Sequence, residues 1–297
     1  MAKEMKVAII GLDTSHAIEL PRLMQAPDCP KEDRVEGLRA VSCLRFETPF
    51  QNKEGLDGRQ KQLEQWGVKV TEKFEDAIKD CDALMLEIND PAFHVDYFRR
   101  CAGLGKPVFL DKPLADTFTH GEQILADVKK HNTRVFSASS LRFVPSLIET
   151  CGKVPHPAAC FAYGPLGKAP SGSSIVWYGV HAFEMLQRSM GLGATSILTR
   201  KDGMGVVANV AYADGRRGVV ELTEGAWIYG GTLRTKEKAE TFVVDPAHLY
   251  SGLLNQIAAF FHGGASPVGL DATREIMGML DAAERSLQSG KEEKTGL

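Results

Sequence analysis

No stretch of this sequence approaches the length of apolar chain needed to cross a bilayer as a helix. The opening MAKEMKVAII places lysines before apolar residues, but the run stops at Gly11 and meets Asp13, too short for a signal-peptide core. It reads as a first strand. Six cysteines include no C-x-x-C pair and eight histidines no H-E-x-x-H spacing, so no metal site is expected. Several of the cysteines fall within expected strands or helices, the pattern of reduced, buried thiols in a cytoplasmic protein. A formal net charge of -3 gives no footprint for nucleic acid or an anionic membrane. The expected partner is therefore a small molecule. Walker loops, G-x-S-x-G elbows, internal repeats and low-complexity tracts are also missing. Residues 47–58 read as a polar loop, and disorder is expected only at the last six or seven residues.

What is present suits two domains: 297 residues, 43% hydrophobic and 25% charged. In the first half, strand patterns at 6–11, 38–45, 82–88 and 107–110 alternate with helical apolar spacing at 17–24, 56–66, 74–78 and 95–104. Such alternation predicts a parallel sheet wrapped by helices on both faces. Ligands of these sheets bind outside the carboxyl ends of the strands, where Gly11, Asn89 and Lys112 gather. Lys112 follows a short apolar strand, Val108 to Leu110, and precedes Pro113, which fixes the backbone just beyond it.

Near Leu141 the pattern changes. Short strands are expected at 157–163, 196–200, 205–212, 217–222 and 226–233, separated by Asp202-Gly203, Asp214-Gly215 and Gly230-Gly231. Strands in a run, flanked by helices, predict a mainly antiparallel sheet with helices on one face. The division is residues 1–140 and 141–297.

Four segments in this order resemble the Gfo/Idh/MocA superfamily, the glucose-fructose oxidoreductase and inositol dehydrogenase group. They are the opening strand and turn; Asp82 to Lys112, like that family's strand, polar turn, His, helix and Glu-Lys-Pro; Leu141-Arg-Phe-Val-Pro145, like its Arg-Phe/Tyr-x-Pro; and the two-helix tail, Leu253 to Gly290. The resemblance implies a Rossmann-like doubly wound parallel sheet followed by a smaller α+β domain, NAD or NADP as cofactor, and a homo-oligomer paired through the C-terminal sheet. The chain is short for this family, which implies a trimmed second domain.

The cofactor loop departs from the family. Gly-x-Gly-x-x-Gly brings backbone up to a pyrophosphate at a helix N-terminus, whereas here Gly11-Leu12-Asp13-Thr14-Ser15-His16 keeps only the first glycine. A carboxylate about 4 Å from a phosphate, at an effective dielectric near 20, costs about 4 kcal/mol. Two readings follow. Either Asp13, Thr14 and Ser15 cap the helix beginning near His16, or Thr14 and Ser15 contact phosphate while Asp13 turns aside. Arg45, at the end of the second strand, favours NADP over NAD by its charge. Asn89 and His94 complete the expected cofactor set, with His94 capping or packing rather than reacting.

The second candidate for chemistry is His181, in a segment resembling the family's G-G-G-x-x-x-D-x-G-x-H-x-x-D. Gly179 and His181 match, Glu184 stands for the last Asp, and Trp177 replaces an acid. The resemblance implies that His181 exchanges the substrate hydroxyl proton. Lys112 then stabilises developing alkoxide charge while hydride leaves for the nicotinamide. Both are expected to converge on one cleft. Trp177 and Tyr178 stack on a sugar ring or pack in the core, and Arg142 contacts substrate, pairs with a carboxylate or holds the domains together. The implied activity is NAD(P)-dependent oxidation of a sugar, polyol or related hydroxy compound. The alternative is a non-catalytic ligand-binding or regulatory protein, which the altered glycine loop favours.

Overall fold

The computed structural model describes residues 4–297, in two compact units. One comprises residues up to Ala115 with Glu122–Ser137 and Tyr250–Val268; the other comprises Asp116–Gly121, Ala138–Leu249 and Gly269–Leu297.

The first unit is built on β1 (Met5–Ile10), β2 (Leu38–Leu44), β3 (Lys69–Thr71), β4 (Ala83–Leu86), β5 (Val108–Asp111) and β6 (Val135–Ala138), in the order β3-β2-β1-β4-β5-β6. β1 runs parallel to β2 and β4, β2 to β3, and β4 to β5. The crossovers carry α1 (His16–Gln25), α2 (Lys53–Gln65), α3 (Phe74–Ile78), α4 (His94–Ala102) and α5 (Phe118–His131). All four residues of β4 and of β5 are buried, as a strand covered on both faces requires. Strand order reverses beside β1, so the carboxyl ends of β1 and β4 flank the crevice such sheets use for ligands.

The second unit carries α6 (Pro145–Lys153), α7 (Val180–Met190) and α9 (Leu270–Ser289), whereas α8 (Leu249–Phe261), apart from Leu249, belongs to the first unit. Its sheet contains β7 (Ala159–Pro165), β8 (Ala194–Lys201), β9 (Gly205–Tyr212), β10 (Arg217–Thr223), β11 (Gly230–Arg234), β12 (Ala239–Val243) and β13 (Glu293–Lys294), in the order β12-β11-β7-β10-β9-β8-β13. Only β7 and β10 pair in parallel. Val206, Ala208, Val210 and Tyr212 of β9 are buried while Asn209 and Ala211 between them are exposed, the alternation of a sheet covered on one face.

Two expectations are corrected. The loop after β2 ends at Asn52, whose side chain accepts the Gly55 N–H at 2.9 Å and starts α2 five residues before Gly58. The chain end is ordered: β13 adds to β8, and the buried Thr295 hydroxyl donates to Ala194 O at 3.0 Å. Polar composition suggested disorder there, but an open strand edge offered backbone partners. All six cysteines are free and only Cys151 is not fully buried; burial pushes Cys101 and Cys160 up to about 12, unreactive as thiols. No described helix is long and apolar enough to cross a membrane.

Candidate active site

The first turn after β1 is set by Gly11, at φ +106°, where an added Cβ would stand 2.4 Å from the Glu87 carbonyl oxygen. Only glycine lets β1 and the end of β4 approach this closely. Asp13 then points into the protein. Its carboxylate accepts the Asn89 N–H at 2.8 Å, the Asp90 N–H at 3.3 Å and the Thr48 hydroxyl at 2.7 Å, and it is 1% exposed. Burial outweighs these bonds and holds the carboxyl above its ordinary range.

Thr14 accepts the His16 N–H at 3.3 Å, whereas Ser15 is exposed at the start of α1 and makes no side-chain cap bond. Capping by all three residues is thus not what occurs: one of them bends away, one makes a weak cap, and one presents its hydroxyl. Above the loop lies Arg59, a residue the sequence reading passed over. Its guanidinium donates to Leu12 O at 2.9 Å; burial lowers its pKa, and the Asp13 charge works in the opposite sense. The only hint in the sequence was a basic residue midway along an otherwise polar helix.

At the ends of β4 and β5 stand Glu87, Asp111 and Lys112, all buried. His16 Nδ1 lies 2.7 Å from Asp111 Oδ2 and 3.9 Å from Glu87 Oε2. Desolvation alone would raise Asp111, but the charges of His16 and Lys112, with hydrogen bonds from His16 and the Lys112 N–H, bring it down to about 2. Glu87 moves the other way. Desolvation and the Asp111 charge raise it well above the usual carboxylate range, against the opposing pull of Lys112. Local spacing could not reveal this cluster, because His16, Glu87 and the Asp111-Lys112 pair come from three separate segments and meet only at the sheet edge. The signal available was a carboxylate inside the apolar run Ala83 to Ile88.

His94 is fully buried, with Nε2 2.8 Å from Ile88 O and Nδ1 3.2 Å from Leu114 O. It packs, as expected, and ties the end of β4 to the segment after the cis Lys112-Pro113 bond. Gly11, Thr14, Ser15, Asn89, His94 and Lys112 therefore share one edge of the first unit. Arg45 is committed to α2, paired with Asp57 at 2.8 Å and bonded to Gln60. Its charge is largely spent within the protein.

In the second unit a π-helical turn, Ile175–Gly179, leads into α7 and brings Trp177, Tyr178 and His181 to its start. His181 is buried, and its Nδ1 lies 2.7 Å from the Ser139 hydroxyl oxygen, which also accepts the Leu141 N–H at 3.1 Å. The rings of Tyr178 and Tyr229 meet the imidazole edge-on at 5.4 and 5.7 Å. Trp177 faces a different space, a cavity of about 860 Å³ lined also by Lys168, Val206, Trp227 and Glu284 but not by His181 or Tyr178. The two aromatic candidates thus divide between two environments. Arg142 donates to Glu184 at 2.9 Å and to Gln187 at 2.9 Å, all three buried. Its guanidinium is held in an internal ion pair.

The family described as "Oxidoreductase family, NAD-binding Rossmann fold", GFO_IDH_MocA, matches residues 5–139. The matched part, a little under half of the chain, is similar to the Gfo/Idh/MocA family. The matched residues carry the six-stranded sheet of the first unit, a Rossmann fold of the NAD-binding type. Among solved structures, GenD2 from gentamicin A biosynthesis, in complex with NAD, is 14% identical with a TM-score of 0.81 over 99% of this chain and 97% of its own. The scyllo-inositol dehydrogenase of Lactobacillus casei, with NAD(H) and scyllo-inositol bound, is 13% identical with a TM-score of 0.79, covering 99% and 100%. The myo-inositol 2-dehydrogenase of Lactobacillus plantarum is 16% identical with a TM-score of 0.78, covering 98% and 99%. At such identities the likeness is one of fold. No curated protein matches the chain.

Proposed function

We propose that this protein belongs to the Gfo/Idh/MocA family and is an NAD(P)-dependent dehydrogenase of a sugar, polyol or related hydroxy compound. The observation that carries the reading is the inward turn of Asp13. With its carboxylate held by Asn89, Asp90 and Thr48, the negative charge that replaces a family glycine is withdrawn from the loop surface. The start of α1, the exposed Ser15 hydroxyl and the Arg59 guanidinium then offer donors and positive potential to a pyrophosphate. When bound, the dinucleotide supplies a hydride acceptor.

The chain's own residues supply the rest. His181, oriented through Nδ1 by Ser139, moves the hydroxyl proton, and Lys112 provides the positive charge that stabilises a developing alkoxide. Tyr178, whose ring meets the His181 imidazole at 5.4 Å, is the aromatic residue placed to meet a sugar ring beside that base, whereas Trp177 lines a separate cavity. Arg45, engaged by Asp57 and Gln60, gives little selectivity for a 2′-phosphate, so the balance moves toward NAD.

Calorimetric titration of the full chain with NAD and NADP, followed by oxidation assays over a panel of polyols, tests this. Saturable binding with a loss of about a hundredfold or more in turnover for Lys112→Ala and His181→Ala is expected. Failure of both dinucleotides to bind at millimolar concentration would favour the non-catalytic alternative.

A further inference from the structure

We propose that His16, Glu87 and Asp111 form a binding site for one divalent transition-metal ion, of the manganese, iron, cobalt or zinc type. Each residue comes from a different crossover, and each is buried: His16 opens α1, Glu87 follows β4, and Asp111 ends β5. One ligand atom from each, Nδ1 and two carboxylate oxygens, lies within 4.8 Å of the other two. Donors about 2.1 Å from a shared ion stand about 3.0–3.5 Å apart, and the His16 separations of 2.7 and 3.9 Å straddle that range. Small rotations of the side chains suffice to close on an ion.

The independent observation is Glu87. It has no solvent exposure, and neither of its carboxylate oxygens has a hydrogen-bond partner. Buried polar atoms in folded proteins are nearly always paired, and a bound ion is one of the few ways to satisfy an exception. This carboxylate stands 3.9 Å from His16 Nδ1, so it is aimed at the cluster.

The surroundings are those of a metal ligand shell. The Lys112 N–H donates to Asp111 Oδ1 at 2.9 Å, which fixes the carboxylate with Oδ2 toward His16. Tyr250 presses edge-on against the imidazole with ring centroids 5.1 Å apart. One imidazole nitrogen with two carboxylate oxygens suits borderline ions; magnesium prefers oxygen ligands and retained waters. Entry runs past His16, whose side chain keeps 10% exposure.

The inference does not depend on the dinucleotide reading, and its test uses none. Full-length protein, stripped with chelator and dialysed, is titrated with cobalt chloride while ligand-field absorption is followed, and with zinc chloride and manganese chloride by calorimetry. Saturation at about one ion per chain is expected, weakened tenfold or more in Glu87→Gln and in His16→Ala. Circular dichroism establishes that each variant is folded; if Glu87→Gln is not, His16→Ala decides. Absence of saturable binding by wild type would overturn the site, as would affinity unchanged in the folded variants.

Discussion

The Asp13 carboxylate accepts the Asn89 backbone N–H at 2.8 Å, across 76 residues of sequence. With the Asp90 N–H and the Thr48 hydroxyl on the other oxygen, this contact joins the turn after β1, the loop after β2 and the loop after β4. A residue that reads as an obstacle to phosphate is a structural clasp at the ligand-binding edge of the sheet.

The pH dependence of this clasp has a definite sign. Burial raises the folded-state pKa of Asp13 above 3.8 despite the bonds it accepts. Its favourable contribution is complete below the unfolded pKa and is lost as pH rises through the folded one. In urea denaturation from about pH 3 to about pH 6, wild type should lose stability relative to Asp13→Asn. A parallel pH dependence of the two proteins would contradict this.

Gly11→Ala should destabilise the first unit by more than about 1 kcal/mol. The new Cβ meets the Glu87 carbonyl oxygen and sits at a φ that alanine resists. Thermal melts of the two proteins, compared at matched pH, check the shift. An unchanged melting temperature would mean that the turn is freer than its geometry implies.

Arg142 and Glu184 form an ion pair with both side chains nearly sealed, at 6% and 4% exposure. Arg142→Met leaves a buried carboxylate with Ser139 N–H as a remaining neighbour, and about 3–5 kcal/mol of stability should be lost. Arg142→Met combined with Glu184→Leu should recover much of it, because no charge is then stranded. The double-mutant cycle in urea measures the coupling.

Ser139 is a positioning residue for His181. Ser139→Ala removes the partner of Nδ1 while leaving the imidazole packed between Tyr178 and Tyr229. If His181 moves the proton, kcat should fall about tenfold or more and its pH profile should shift, with KM little changed. Ser139→Thr, which keeps a hydroxyl, should restore the profile. A loss in KM alone would place His181 in binding rather than in proton transfer.

The alternation of apolar strands and helical spacing made the first sheet legible, with β1, β2, β4, β5 and four of its helices read within a few residues of their observed bounds. Short elements at edges were not read. β3 and β12 bury one side chain or none, and so carry little hydrophobic period. β13 exists only because β8 offers it an edge. Among site residues, Lys112 and His181 stood out because each sits in a recognisable segment, whereas Arg59, Glu87 and Ser139 owe their places to partners distant along the chain.

By itself the sequence determined the class of fold and the resemblance to a family, since hydrophobic periodicity and local turn chemistry act over a few residues and survive in one dimension. Tertiary structure decided which way each polar side chain of the altered loop points, which cations remain unspent, and that His16, Glu87 and Asp111 meet at all. Those outcomes depend on strand order and register, which bring atoms 95 residues apart to within 2.7 Å. No local pattern encodes such a meeting, because its energy comes from burial and charge shared among separate crossovers.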